Sequence, residues 1–151
     1  MKYKIIPYEE KYEDDIVELF LDSYHEPGYE WDYGVAKKYL RHNFEDYPDY
    51  NFVAVDDNGD HIGSVVCSVK HYYKGKVLFV ESLQVMEEYR GKGVGKKLLS
   101  EVVQLAKKDG LTHIQFLADG GRDFPRKWYE DLGFLPTNWI EYEANINDIK
   151  L

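Results

Sequence analysis

Val85-Met-Glu-Glu-Tyr-Arg-Gly-Lys-Gly-Val-Gly-Lys-Lys-Leu-Leu99 is the stretch from which the rest of the chain is read. A strand ends near Val85, the segment Arg90–Gly95 turns, and a helix follows at once. Glycines at 91, 93 and 95 leave the backbone without Cβ atoms, so its N–H groups can close around an anion. The positive end of the next helix dipole lies at the same point. Residues 90–97 carry Arg90, Lys92, Lys96 and Lys97 and no carboxylate, in a chain whose net charge is −9. A tight strand–helix turn dressed with solubilising lysines would explain the glycines alone. The coincidence of strand, glycines, helix and local charge reversal favours a phosphate site, best matched to a diphosphate. A P-loop does not fit, because Arg90 replaces its first glycine and Lys97 its Mg²⁺-binding hydroxyl. A dinucleotide fingerprint fails at Lys96, where its third glycine would stand.

Working outward, residues 2–7 read as a strand ended by Pro7. Residues 11–24 carry Ile16, Leu19, Phe20 and Tyr24 at helical spacing, and Pro27-Gly28 breaks that helix. A second helix fits 34–44. The period then changes to two over 51–56 and 61–70, around the hairpin signature Asp57-Asn58-Gly59-Asp60. A turn at 73–76 leads into a strand at 77–86. Residues 94–106 form an amphipathic helix that Gly110 is placed to end. Residues 112–118 alternate as a strand, and 124–132 read as a short helix with Asp123 as its N-cap. A last strand pair fits 133–137 and 139–146.

The chain has 151 residues, enough for one domain spanning 1–151 with its own core. The single Cys67 excludes an internal disulfide and a cysteine metal cluster, and reads as a small core residue of its strand. The five histidines form no ligand-spaced pair, so no metal is expected. The acidic balance, 28 Asp and Glu against 19 Lys and Arg, argues against nucleic acid as the main partner. No apolar run is long enough for a membrane span, and the first ten residues hold no signal-peptide core. The expectation is a soluble cytoplasmic protein without a membrane partner; a homodimer is left open.

The pattern Arg-x-x-Gly-x-Gly, met by Arg90, Gly93 and Gly95, resembles the coenzyme A-binding motif of the GNAT superfamily of acetyl-CoA-dependent N-acetyltransferases. The resemblance extends upstream through Phe79–Val85 and downstream to Trp128-Tyr-Glu-Asp-Leu-Gly-Phe134, which is similar to the family's second cofactor motif. Residues 1–76 match in element order only. The resemblance implies an α/β (α+β) fold: a single GNAT-like domain with a twisted, mixed, mostly antiparallel sheet, splayed after its fourth strand and flanked by about four helices. It implies acetyl-CoA as cosubstrate, lying along the backbone of Leu83, Gln84 and Val85. The pyrophosphate would rest on Arg90, Gly91, Lys92, Gly93, Val94, Gly95 and Lys96. Many relatives carry an Asn seven residues before the second motif's Tyr; here Arg122 stands there, and it is expected to meet a phosphate instead.

Strand alternation places Glu81 in the row Phe79, Glu81, Leu83, Val85, where a carboxylate is out of place. It is either held by a structural partner such as a Lys or a Tyr hydroxyl, or functional; in the family that position often bears the general base. The need is plain, since deprotonating an amine of pKa ~10.4 at pH 7 costs ~4.6 kcal/mol. Tyr129 matches the family's frequent general acid for the departing thiolate, against the bland reading of a half-buried helix aromatic. In the family the first two helices and their connection wall the acceptor side. Residues 9–32 here hold ten carboxylates against Lys11, with Tyr24, Tyr29, Trp31 and Tyr33 interleaved. Part of the acidic run is ordinary solvated surface, since the helix over 11–24 has a polar face; Tyr29, Glu30, Trp31 and Asp32 combine both residue types in a loop and are the expected acceptor contacts. The expected acceptor is a cationic small-molecule amine, polyamine- or aminoglycoside-like. Alternatives are a peptide or protein amine, a non-catalytic acyl-CoA-binding regulatory domain, or a nucleotide-phosphate binder.

Overall fold

The β-branched runs become five strands in the computed structural model, which describes residues 2–150. They are β1 (Tyr3–Pro7), β2 (Asn51–Asp56), β3 (His61–Tyr72), β4 (Gly75–Val85) and β5 (His113–Gln115). Their order in the sheet is their order in the chain. The first four pair antiparallel, and β5 joins β4 in parallel. The four α-helices are α1 (Glu13–Ser23), α2 (Tyr33–Asp46), α3 (Val94–Lys108) and α4 (Asp123–Asp131). The chain forms two compact units, residues 2–117 and 118–150.

In the first unit the core follows from the two periodicities. Val53 and Val55, two apart on β2, pack with Val66 of β3 against Ile16, Val17 and Phe20 of α1 and Ala36, Leu40 and Phe44 of α2. The opposite face is left to α3, which packs against β2, β3 and β4 with Val94, Leu98, Leu99, Val102 and Ala106 buried. The Asn58-Gly59 turn forms as expected, with Gly59 at φ +87°. The second hairpin is tighter than expected. Tyr72 pairs directly with Gly75, so β3 and β4 run on to leave only Tyr73 and Lys74 between them.

The sheet splays where the sequence implied. β5 is three residues long rather than seven and pairs only with Val77–Phe79. Among the described residues, the outer edge of β4 from Val80 to Val85 therefore has no ladder partner.

In the second unit α4 starts differently from expectation. Asp123 does not cap it: Arg122 occupies the N-cap position, and Phe124 is extended (φ −102°, ψ 133°) because it precedes Pro125. Helical geometry therefore resumes at Pro125. The strand pair expected over 133–137 and 139–146 does not form; the segment holds only a 3₁₀ turn at Ile146–Asp148. The physical reason lies in that expectation itself. It left Asn138 alone to make the reversal, whereas hairpins need at least two residues, and Pro136 removes a ladder donor.

Candidate active site

The glycine turn is built as a latched loop. After β4 a 3₁₀ turn (Glu87–Tyr89) leads to Gly91 at φ +70° and Gly93 at φ +82°. Gly93 is the N-cap of α3, with its carbonyl accepting from the Lys97 N–H. A Cβ on Gly91 would meet nothing within 4 Å, so its glycine serves the positive φ and an open approach to the backbone. The four cations divide. Arg90 Nε donates to the Val85 carbonyl at 3.0 Å, and Lys92 Nζ donates to the Glu88 carbonyl at 2.8 Å. These two bonds tie the loop to the strand it leaves. Lys96 and Lys97 are exposed on the first turn of α3.

Upstream on β4, Leu83 and Val85 are half-buried while Gln84 is buried. The fully buried residues of this strand include Leu78, Val80, Ser82 and Gln84, whereas Phe79, Glu81, Leu83 and Val85 are half-buried. Register explains the rest. Val66 pairs with Ser82 but Cys67 pairs with Val80, so Glu81 is the extra residue of a β-bulge. A bulge breaks the alternation and re-aims its side chain. Glu81 is half-buried and accepts two hydrogen bonds: Oε2 from the Tyr39 hydroxyl (2.5 Å) and Oε1 from the Ser68 hydroxyl (2.7 Å). The Tyr hydroxyl that sequence reasoning named as a structural partner is thus present, from α2. Burial and the neighbouring carboxylate push the Tyr39 phenol far up from its ordinary range. Burial, with Glu81 adding, does the same to the Cys67 thiol, which is wholly buried.

The Tyr39 ring that bonds this carboxylate belongs to a cluster of four. Tyr39 lies 5.1 Å from Trp31 and 5.8 Å from Phe20, which in turn meets Trp31 edge-on at 5.0 Å and Tyr24 at 4.8 Å. Further along the same sheet, the Ser64 and Ser82 hydroxyls are buried without a hydrogen-bond partner in the protein.

The acidic stretch sorts itself out. Glu13 is buried in a two-pronged pair with Arg41, both bonds at 2.8 Å. Asp14 meets Lys37 and the Tyr33 hydroxyl. Glu30 and Asp32, expected to contact the acceptor, bond their own connection: Glu30 Oε2 accepts from the Gly28 N–H, and Asp32 caps α2 through the Gly34 and Val35 N–H groups. Trp31 packs against the core cluster, and Tyr29 is the ring turned outward, 77% exposed. The helix carboxylates Asp15, Glu18 and Asp22, by contrast, line an open groove of about 570 Å³ together with Glu87 and Glu88, against Arg90 and His25. In the second unit, Tyr129 is half-buried between Trp128 (4.9 Å) and Phe134 (5.7 Å). Arg122 lies 3.4 Å from Asp119.

Residues 13–134, which run from α1 through the free β4 edge and the glycine turn that opens α3, match the acetyltransferase (GNAT) family. The chain belongs to the GNAT acetyltransferase family. It is therefore an N-acetyltransferase of the class whose donor is acetyl-CoA. N-alpha-acetyltransferase 30 of Schizosaccharomyces pombe is 30% identical over 132 residues, covering 86% of this chain and 82% of the relative. Two solved structures share the fold at lower identity. One is the NatC complex bound to Gag peptide and CoA, with TM-score 0.78, 21% identity, and 91% of this chain and 87% of that one covered. The other is the aminoglycoside N-acetyltransferase AAC(6')-Iy in complex with CoA, with TM-score 0.79, 20% identity, and 96% and 95% covered. GNAT membership thus leaves the acceptor among amines of quite different size. Among the described residues no helix is long and apolar enough to cross a membrane, and no trio of His, Cys, Asp or Glu is placed to hold a metal ion.

Sequence reasoning missed Tyr39 and Ser68. Tyr39 reads as one more apolar position of an amphipathic helix, and Ser68 as one more strand residue. The bulge that aims Glu81 at them leaves no mark in the alternation.

Proposed function

We propose that this GNAT enzyme acetylates a cationic primary amine, with Glu81 as general base. The observation that carries the acceptor class is the groove along α1, where five carboxylates stand against one arginine and one histidine. Carboxylates of one sign in a concave surface concentrate cations. The attracting charge is assigned to Asp15, Glu18 and Asp22 rather than to Glu30 and Asp32, which hold the α1–α2 connection. Trp31, Tyr24 and Tyr39 offer ring faces to an ammonium close to Glu81.

Acetyl-CoA supplies the acetyl thioester. The free N–H and C=O groups of Leu83–Val85 suit its extended arm, and the backbone of residues 91–95 suits its diphosphate. Lys96 would add charge there. Glu81, directly or through a water, takes the proton that the ammonium must lose. Tyr129 donates a proton to the departing thiolate, a role supported by its place in the second motif. The family match runs from 13 to 134 across both units, which supports one acetyltransferase domain.

A peptide N-terminus is the second reading, favoured by the similarity to N-alpha-acetyltransferase 30. CoA release measured with spermidine, an aminoglycoside and peptides bearing a free N-terminus separates the two. The cationic small amines should give the highest kcat/KM, and a clear preference for a neutral or acidic peptide would overturn the proposal. Glu81→Gln should lower kcat/KM at neutral pH by about 10²-fold or more and spare acetyl-CoA affinity. An unchanged rate would return Glu81 to a purely structural role.

A further inference from the structure

We propose that Tyr39 and Ser68 are positioning residues, a two-point clamp that holds the Glu81 carboxylate in the single orientation proton transfer needs. The inference rests on the reading of Glu81 as the base. Each carboxylate oxygen receives one donor, and the donors come from different elements: Tyr39 from α2 and Ser68 from β3. One lone pair on each oxygen stays available to accept a proton. A glutamate on an unclamped bulge would sample several rotamers, and catalysis is sensitive to placement on the ångström scale.

Both donors are themselves held. The Tyr39 ring packs on Trp31 and Phe20, so its hydroxyl cannot swing away. Ser68 is 6% exposed on a strand paired on both sides of the bulge. The clamp also stays constant with pH. The titratable groups nearest the carboxylate are Tyr39 on α2 and Cys67 on β3, with Tyr24 at the end of α1 acting on Tyr39. All three are pushed up by burial and remain protonated at neutral pH. Lys70, two residues beyond Ser68, lies over the Phe79 ring at 3.5 Å. A merely structural role would have the Tyr39–Glu81 bond tie α2 to the sheet, with consequences for stability alone.

The test is a double-mutant cycle. Tyr39→Phe, Ser68→Ala, Glu81→Gln and the two doubles with Glu81→Gln are assayed with acetyl-CoA and the amine of the panel above that gives the highest kcat/KM. Tyr39→Phe keeps the packed ring and should melt close to the wild type. Each single clamp variant should lower kcat by about tenfold, the scale of one hydrogen bond to a charged group, with KM for acetyl-CoA unchanged. In the Glu81→Gln background the same substitutions should have almost no further effect. Full activity in both Tyr39→Phe and Ser68→Ala, or an equal loss with and without Glu81, overturns the clamp. Full activity in Glu81→Gln would instead overturn the base itself.

Discussion

Asp32 shows how one residue can satisfy two readings that only different substitutions separate. Its carboxylate accepts from the Gly34 N–H at 2.9 Å and the Val35 N–H at 3.2 Å, which is the N-cap of α2. Asp32→Ala should lower unfolding stability by ~1 kcal/mol, while Asp32→Asn, an equally good cap, should leave it nearly unchanged. If Asp32 attracts the acceptor through charge, Asp32→Asn should raise the amine KM; the structure assigns that attraction to α1, so KM should stay within about twofold. Urea unfolding and steady-state kinetics on the two variants decide it. The same ambiguity limited what the sequence could disclose at this scale. An acidic loop residue followed by a helix reads equally as cap or as ligand contact, and Glu30 likewise turned inward to the Gly28 N–H. Glu81 stood out because a carboxylate in an apolar row is anomalous. Its partners did not, because Tyr39 and Ser68 are ordinary residues for a helix and a strand.

At the scale of elements, the glycine turn was legible because its conformational demands leave few residue choices. Gly93 sits at φ +82° as the N-cap of α3, with the Tyr3 hydroxyl 3.7 Å from where a Cβ would stand. Acetyl-CoA at 100 Kd should stabilise the wild type by ~2.7 kcal/mol, seen as a rise in Tm. Gly93→Asp should abolish that rise through backbone strain and a negative charge at the phosphate cradle. Gly110→Asp is the matched control: its φ is +79°, beyond the far end of α3 and open on all sides, so it should show the strain and keep the acetyl-CoA response. Loss of the response in both variants would locate the effect in general destabilisation rather than in the cradle. Helices and hairpins were readable for the same local reason, since period and turn chemistry lie within a few residues. What depends on pairing between elements was not. The bulge at Glu81 and the three-residue length of β5 are set by register against β3 and β4. The strand pair expected after Gly133 shows the converse, since alternation alone was taken for a ladder where the reversal had too few residues.

For the whole molecule, the net charge of −9 was visible in composition, but composition cannot say which carboxylates are already engaged. Folding pairs Glu13 with Arg41 and Asp14 with Lys37, and leaves Asp15, Glu18 and Asp22 along one groove. Global stability carries a second charge-linked term, at His61. This residue is 4% exposed, its imidazole enclosed within the fold. Burial lowers its pKa from the ordinary 6.5, with the Asp15 charge and a hydrogen bond to the Gly63 backbone working against that shift. The folded state therefore keeps His61 neutral where the unfolded chain has begun to protonate it. Well above pH 6.5 neither state binds the proton and stability is unaffected. As pH falls through that value the unfolded state gains a proton the folded state does not, and stability drops by up to ~1.4 kcal/mol per pH unit until the folded pKa is reached. His61→Leu removes the titration and puts an apolar side chain in a buried site, so it should be at least as stable as the wild type at pH 5.5. The measurement is the urea midpoint of both proteins between pH 7.5 and 5.0. Their difference should widen steadily below pH 6.5, because every other residue is the same in both chains. Parallel curves would mean that His61 takes up its proton inside the fold, with Asp15 as the group that overcomes its burial.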